Sequence, residues 1–235
     1  MTRFWYRRLR AGARLALRIL ADLPRIFQIL VREIRRQGLW IASQYTLDHV
    51  VRLGTGAPPL YYSRITPHVH VGGQFTGPGW RRLQTRGITA VVNLRDEFDD
   101  AEAGIAPGPY LFLPTVDDTP PTIAQLCQGV RFIHQQIDAG GRVYVHCMLG
   151  VGRSVTLVAA YLVSTGMAPA EAWKAIRRRR PFIQPTLGQQ IRLEEFAARG
   201  LDFWKNFDVN VEHVEDAYDL LMESTLAGEE GELPV

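Results

Sequence analysis

Residues 143–154, VYVHCMLGVGRS, constrain the fold more than any other part of the chain. Val143–His146 is a short apolar run rich in valine, the pattern of a strand buried on both faces. Cys147 and five further residues follow, Gly150 and Gly152 among them, before Arg153 and Ser154 open an apolar run of helical length. A strand that passes into a helix through so short a glycine-containing loop belongs to an α/β domain. The flanking sequence repeats the alternation. Strands are predicted over Tyr61–Val71, Ile88–Leu94 and Tyr110–Leu113. Helices are predicted over Gly79–Arg86, Thr122–Asp138, Pro169–Arg179 and Gly188–Arg199. Thr122 is a fitting helix cap, and Pro181 stops the helix before it. The expected architecture is a central, mostly parallel sheet flanked by helices, with an N-terminal amphipathic helical extension.

The net charge of +3 over 235 residues is a sum of unlike parts. Residues 1–36 carry ten arginines against Asp22 and Glu33, whereas residues 201–235 carry Lys205 against ten acids. Three regions follow: a basic amphipathic extension and linker (1–59), the α/β domain (60–200) and an acidic tail (201–235). At about 100° per residue, Arg3, Arg7, Arg14, Arg18, Arg25, Arg32 and Arg36 fall within about 40° of one direction. Leu15, Ile19, Leu23, Ile26, Phe27, Leu30 and Ile34 fall opposite, and Pro24 divides the run. Phe4, Trp5 and Tyr6 add groups suited to a bilayer surface. Peripheral attachment of residues 1–36 to an anionic membrane is the expected role; a cap on the domain or a mitochondrial targeting peptide are the alternatives. Residues 38–59 have a mixed pattern, ending in a Gly54–Pro59 linker. A weak amphipathic stretch at Val209–Met222 is the one feature of the tail.

No run of 18 apolar residues free of charge exists, so a conventional membrane-spanning helix is not expected. The arginines also interrupt any secretory-signal core. With two cysteines, Cys127 and Cys147, neither a disulfide scaffold nor a cysteine-rich zinc module is expected. His68 and His70 share one face of a strand but lack a third ligand, so no metal is expected. Cofactors and nucleic acid are not expected either; a broad Leu/Ile/Phe face on the head suits lipid or protein better.

The chemistry concentrates in the loop. Between a strand end and a helix N-terminus, backbone N–H groups of Met148, Leu149, Gly150, Val151 and Gly152 can turn inward and cradle an anion. The glycines permit the tight path. The helix N-terminus and Arg153 favour the thiolate form of Cys147. The Arg153 guanidinium can grip two phosphate oxygens, and Ser154 can donate to the sulfur. His146 is expected to orient the loop through its ring hydrogen bonds.

HCxxGxxRS resembles the signature of the cysteine-dependent protein tyrosine phosphatases. With YSRITPHVHVGGQ, GITAVVNLRDE, the PTVDD loop and RPFIQPTLGQQIRLEEF in order, residues 63–198 resemble the dual-specificity branch. The segments TVDDTPPT, VYVHC and AAYL are similar to the mitochondrial phosphatidylglycerophosphate phosphatase group. A bare Cys-x5-Arg is shared with arsenate reductases, which carry it near the N-terminus. The resemblance implies two-step displacement: Cys147 attacks phosphorus, and an aspartate protonates the leaving oxygen and then activates water. In the family that aspartate lies about 30 residues before the cysteine, in a Pro-x-x-Asp loop. Pro114-Thr115-Val116-Asp117 fits it; the adjacent Asp118 is the alternative.

The resemblance implies a phosphatase for phosphotyrosine, phosphoserine or phosphothreonine proteins, or alternatively for a lipid phosphate monoester at a membrane. A non-catalytic phosphate-binding module is the reading from a different class. Met148, Leu149 and Val151 are uncharged, which disfavours highly charged inositol head groups. The expected location is cytoplasmic, peripheral at the inner face of a membrane, or mitochondrial. The remaining features have structural readings: Cys127 in the core rather than a resolving thiol, Arg177–Arg180 as a solvated helix end with one member packed inward (recognition of a phosphorylated or anionic substrate is the alternative), and Asp96–Glu102 as a solvated loop (a place at the border of the active-site cleft is the alternative). Gln189 or Gln190 is a minor candidate for positioning water.

Overall fold

The computed structural model describes residues 38–106 and 108–207. The amphipathic head predicted over residues 1–36 and the tail stretch Val209–Met222 lie outside them. Four strands form one sheet: β1 (Val69–Gly72), β2 (Ala90–Arg95), β3 (Tyr110–Thr115) and β4 (Val143–His146). The order is β1-β4-β2-β3 and every pairing is parallel. β4 lies between β1 and β2, with His146 opposite Gly72 and Asn93. The chain that leaves β4 therefore emerges at the centre of the sheet's carboxyl edge, as the sequence pattern predicts.

Alternate residues of the strands face two different cores. Val69, Val71, Ala90, Val92, Leu94, Val143 and Val145 pack on the larger helical layer. This layer comprises α3 (Ile123–Asp138), α4 (Arg153–Ser164), α5 (Pro169–Arg179) and α6 (Leu187–Ala198). Val91 and Tyr144 face the other way, onto Phe75, Ile88 and Leu83 of the short helix α2 (Gly77–Gln84). α4 is buried from Arg153 through Val163 and is the hub against which α3, α5 and α6 pack. Gly129 lets α3 approach it: a Cβ there would lie 2.5 Å from a Leu157 methyl carbon. Thr122 caps α3 in a capping box with Gln125, as predicted, and Thr186 does the same for α6 with Gln189.

Three expectations change. Residues 39–55, read as mixed pattern, form a 17-residue helix, α1 (Leu39–Thr55). Its buried positions include Gln44, Asp48 and Arg52, while Leu39, Trp40, Leu47, Val50 and Leu53 are exposed. The strand expected over Tyr61–Val71 is only Val69–Gly72, preceded by a 3-10 turn at Leu60–Tyr62. Residues 63–66 instead fold back along its free edge, the Val71 N–H bonding to the Ser63 carbonyl. The first residues of the acidic tail are packed: a short helix α7 (Phe203–Asn206) stacks Trp204 on His134 with centroids 4.5 Å apart. Arg131 of α3 donates to the Trp204 and Phe207 carbonyls.

Candidate active site

The loop from Cys147 to Gly152 joins β4 to α4, and its carbonyls from Met148 to Val151 each meet a donor from outside the loop. Arg52 Nη1 and the Gln74 N–H bond the Met148 carbonyl, at 3.1 and 3.2 Å. Arg180 Nη2 bonds the Leu149 carbonyl at 3.0 Å and its Nε bonds the Gly150 carbonyl at 2.6 Å. The Gln184 N–H bonds the Val151 carbonyl at 2.9 Å. With four successive carbonyls engaged outside, the loop's N–H groups are left for the concave side. Gly150 makes the path possible: its φ is +71°, and a Cβ there would lie 2.2 Å from the Gly72 carbonyl carbon. The helix cap at Gly152 has no side chain bonded to it, so the positive end of α4 opens onto the same concavity.

The Cys147 side chain lies there, nearly buried. Its Sγ accepts from the Gly150 N–H at 3.3 Å and sits 3.3 Å from Ser154 Oγ, which can donate to it. His146 does not face the sulfur as a base. Its Nε2 bonds to the buried Asp100 carboxylate at 2.7 Å, and its ring packs beside Phe75 and Tyr144.

Arg153 is fully buried and is held by carboxylates and carbonyls on three sides. Nη1 donates to Glu97 (2.9 Å) and to the Thr115 carbonyl (2.8 Å), with Asp96 and the Leu94 carbonyl each at 3.4 Å. Nη2 meets Glu97 at 3.3 Å and Asp117 at 2.9 Å. Nε is buried without a partner. The Nε–Nη2 edge is the one that two oxygens of a tetrahedral anion can take together. Burial works against the charge on Arg153, but Glu97, the Cys147 sulfur and Asp117 outweigh it and push its pKa upward. Burial likewise pushes the Glu97 carboxyl up; hydrogen bonds from Arg153 and Arg95 overcome this and hold it well below the usual carboxylate range. Asp117 is the loop acid that the fold brings to Arg153, and its side chain is 70% exposed. Asp118 is exposed, with φ +62°, the left-handed region.

Several supports have partners that the sequence reading did not assign. The Asp96–Glu102 segment is not a solvated loop: Asp96 and Glu97 bind Arg153, Asp99 accepts from the Tyr110 hydroxyl, and Asp100 binds His146. Asn93, buried in β2, ties the segment down by donating to the Phe98 carbonyl. Arg180 is the inward-packed member of the arginine run, but its task is specific. It grips the loop carbonyls while both Nη atoms pair with buried Asp48 of α1, at 3.1 and 3.3 Å. Gln189 is buried beside Gly152; it caps α6 and donates to the Thr119 carbonyl, so it links the Asp117 loop to the helix. Gln190 only bonds the carbonyls of Pro185 and Thr186. Cys127 packs in the larger core.

This site sits within a recognisable family. The dual specificity phosphatase catalytic domain matches residues 72–199, more than half of the chain. Dual specificity protein phosphatase 22-B of Danio rerio is 32% identical over 136 residues, covering 57% of this chain and 73% of its own. The Homo sapiens phosphatidylglycerophosphatase and protein-tyrosine phosphatase 1 is 35% identical over 149 residues, covering 58% and 73%. Among solved structures, PTPMT1 in complex with PI(5)P is similar at 33% identity with TM-score 0.54, covering 58% of this chain and 94% of that one. Tk-PTP in its active form is similar at 29% identity with TM-score 0.53, covering 59% and 97%. The thiol in its anion cradle, the buried arginine and these matches agree: the chain belongs to the dual specificity phosphatase family of the cysteine-dependent protein tyrosine phosphatase superfamily, and it is a phosphatase that works by the cysteine mechanism.

Proposed function

We propose that Cys147 is the nucleophile, Arg153 and the loop N–H groups of Met148 to Gly152 the phosphate cradle, and Asp117 the general acid, acting on singly phosphorylated protein side chains. The observation that carries this reading is the Asp117–Arg153 contact at 2.9 Å, next to a sulfur that accepts the Gly150 N–H. A phosphoryl group that takes the Nε–Nη2 edge displaces Asp117 from Nη2 and leaves that carboxyl beside the bound group, where it protonates the leaving oxygen while Cys147 attacks from the other side of phosphorus. Ser154 donates to the departing thiolate when water cleaves the phosphocysteine. Uncharged Met148, Leu149 and Val151, with Asp96, Glu97 and Asp117 around the guanidinium, disfavour substrates bearing further phosphates.

A lipid phosphate monoester is the second reading. It is favoured by the 35% identity to a protein whose name includes phosphatidylglycerophosphatase, and by residues 1–36, which would attach to an anionic membrane at its inner face or in mitochondria. One panel separates the readings: phosphate release from phosphotyrosine, phosphoserine and phosphothreonine peptides against phosphatidylglycerophosphate in vesicles, with Cys147→Ser as control. The first reading predicts higher kcat/KM on peptides. Lipid preference that falls when Arg3, Arg7, Arg14 and Arg18 are replaced by Gln would support the second. Phosphate binding without release would reduce the protein to a binding module.

A further inference from the structure

A second basic feature lies away from the catalytic loop. Where residues 60–67 run beside β1, a cleft of about 580 Å³ is lined by Tyr61, Arg64, His70, Arg86, Arg142 and Arg179, with no acidic residue in its wall. Its volume is that of an ordinary small-molecule site. None of the four arginines has an ion pair among the described residues; Arg142 donates only to the Arg86 carbonyl, at 3.3 Å. All four are exposed, so their guanidinium groups are free to turn to a ligand. One lining residue carries a buried polar atom without a partner. His70 is 3% exposed and its Nδ1 has no hydrogen-bond partner. Burial, then the positive charges of Arg64 and Arg142, push the imidazole down to about 4. A neutral imidazole nitrogen is thus held in a positive field that nothing in the wall neutralises.

We propose that this cleft is a second anion site, which takes the phosphate group of a phosphorylated small molecule or of a phospholipid head group. Arg64 and Arg142 flank His70 and would supply the fork-like pairs that phosphate oxygens accept. The His70 ring, buried in the cleft wall, would feel the anion's charge and report its arrival. The site is separate from the catalytic cradle. His70 pairs with Tyr144, three residues before Cys147, which places it about 10 Å back along the sheet. Tyr61, 77% exposed at the rim, offers a ring to the non-phosphate part of the ligand.

The test uses the full chain with Cys147 alkylated, so that the catalytic loop is blocked, and inorganic phosphate as the probe. The imidazole resonances of His70 are followed by NMR. Saturable movement is expected, with the His70 titration rising by about one unit as an opposite charge arrives. Arg64→Gln with Arg142→Gln should weaken that binding by about tenfold or more. The same double variant, unalkylated, should hydrolyse p-nitrophenyl phosphate within about twofold of the parent, since neither arginine touches the catalytic loop. The single Arg64→Gln variant repeats the titration if the double variant melts early. Vesicles of phosphatidylcholine with and without phosphatidic acid then identify the source. Flotation that depends on Arg64 and Arg142 assigns a lipid phosphate; phosphate binding at His70 without such flotation assigns a soluble ester. Unmoved His70 resonances, or the same shift in the double variant, would overturn the proposal.

Discussion

At the scale of residues, the two aspartates of the PTVDD loop have different environments and so different predicted roles. Asp117→Asn should slow release of a poor leaving group such as phenol by about a hundredfold or more, and slow p-nitrophenol release much less. Asp118→Asn should do neither, because Asp118 has left-handed backbone and Asp117 is the one on Arg153. Asp118→Gly relieves that conformation and should raise stability by about 1 kcal/mol in a thermal melt. His70 predicts a pH effect with a defined sign. Its folded-state value of about 4 lies below its ordinary 6.5, so the unfolded chain binds the proton first as pH falls. Stability is therefore full above pH 6.5 and is lost as pH falls from 6.5 towards 4, by at most about 3 kcal/mol. Melts of the parent and of His70→Asn across this range should differ in slope, the variant being flatter. Equal slopes would assign the acid sensitivity elsewhere.

At the scale of elements, β4, the catalytic loop and α4 were legible in the sequence almost residue for residue. A valine-rich strand, two glycines and an apolar helix leave one arrangement open, and the Thr122 cap was equally plain. α1 was not legible because its pattern is inverted. Gln44, Asp48 and Arg52, spaced by four, share its inner face with Ala42 and Tyr45, while Leu47, Val50 and Leu53 point out. Hydrophobic periodicity cannot find a helix held by buried charges. The acidic loop misled for a related reason: Glu97 meets Arg153 across 56 residues of sequence, and nothing local announces the partner. α1 lies before the matched residues 72–199, yet it supplies Asp48 to Arg180 and Arg52 to the Met148 carbonyl. Asp48→Ala leaves the Arg180 charge buried and unpaired, which should cost about 3–5 kcal/mol in denaturant unfolding. Arg52→Gln removes one of the two donors on the Met148 carbonyl and leaves only the Gln74 N–H, so kcat should fall by about tenfold while Arg52→Lys restores part of it. Loss of stability without any fall in kcat would limit α1 to scaffolding.

At the scale of the whole molecule, the small net charge conceals a division of labour. Arginines that look alike in composition do unlike things: Arg153 is buried among carboxylates beside the Cys147 loop, Arg52 and Arg180 face the backs of loop carbonyls, and Arg64, Arg86, Arg142 and Arg179 line the edge cleft. The parallel sheet makes this possible, because its carboxyl edge collects the β2, β3 and β4 loops at one point. The central claim is that the chain passes phosphate through Cys147. Rapid quenching of the full chain during hydrolysis of p-nitrophenyl phosphate, followed by peptide mass spectrometry, tests it directly. A single phosphate on the Cys147 peptide is predicted, accumulating further in Asp117→Asn with this good leaving group, and absent with all turnover in Cys147→Ser. Hydrolysis that persists in Cys147→Ser, or turnover with no covalent phosphate on that peptide, would contradict it.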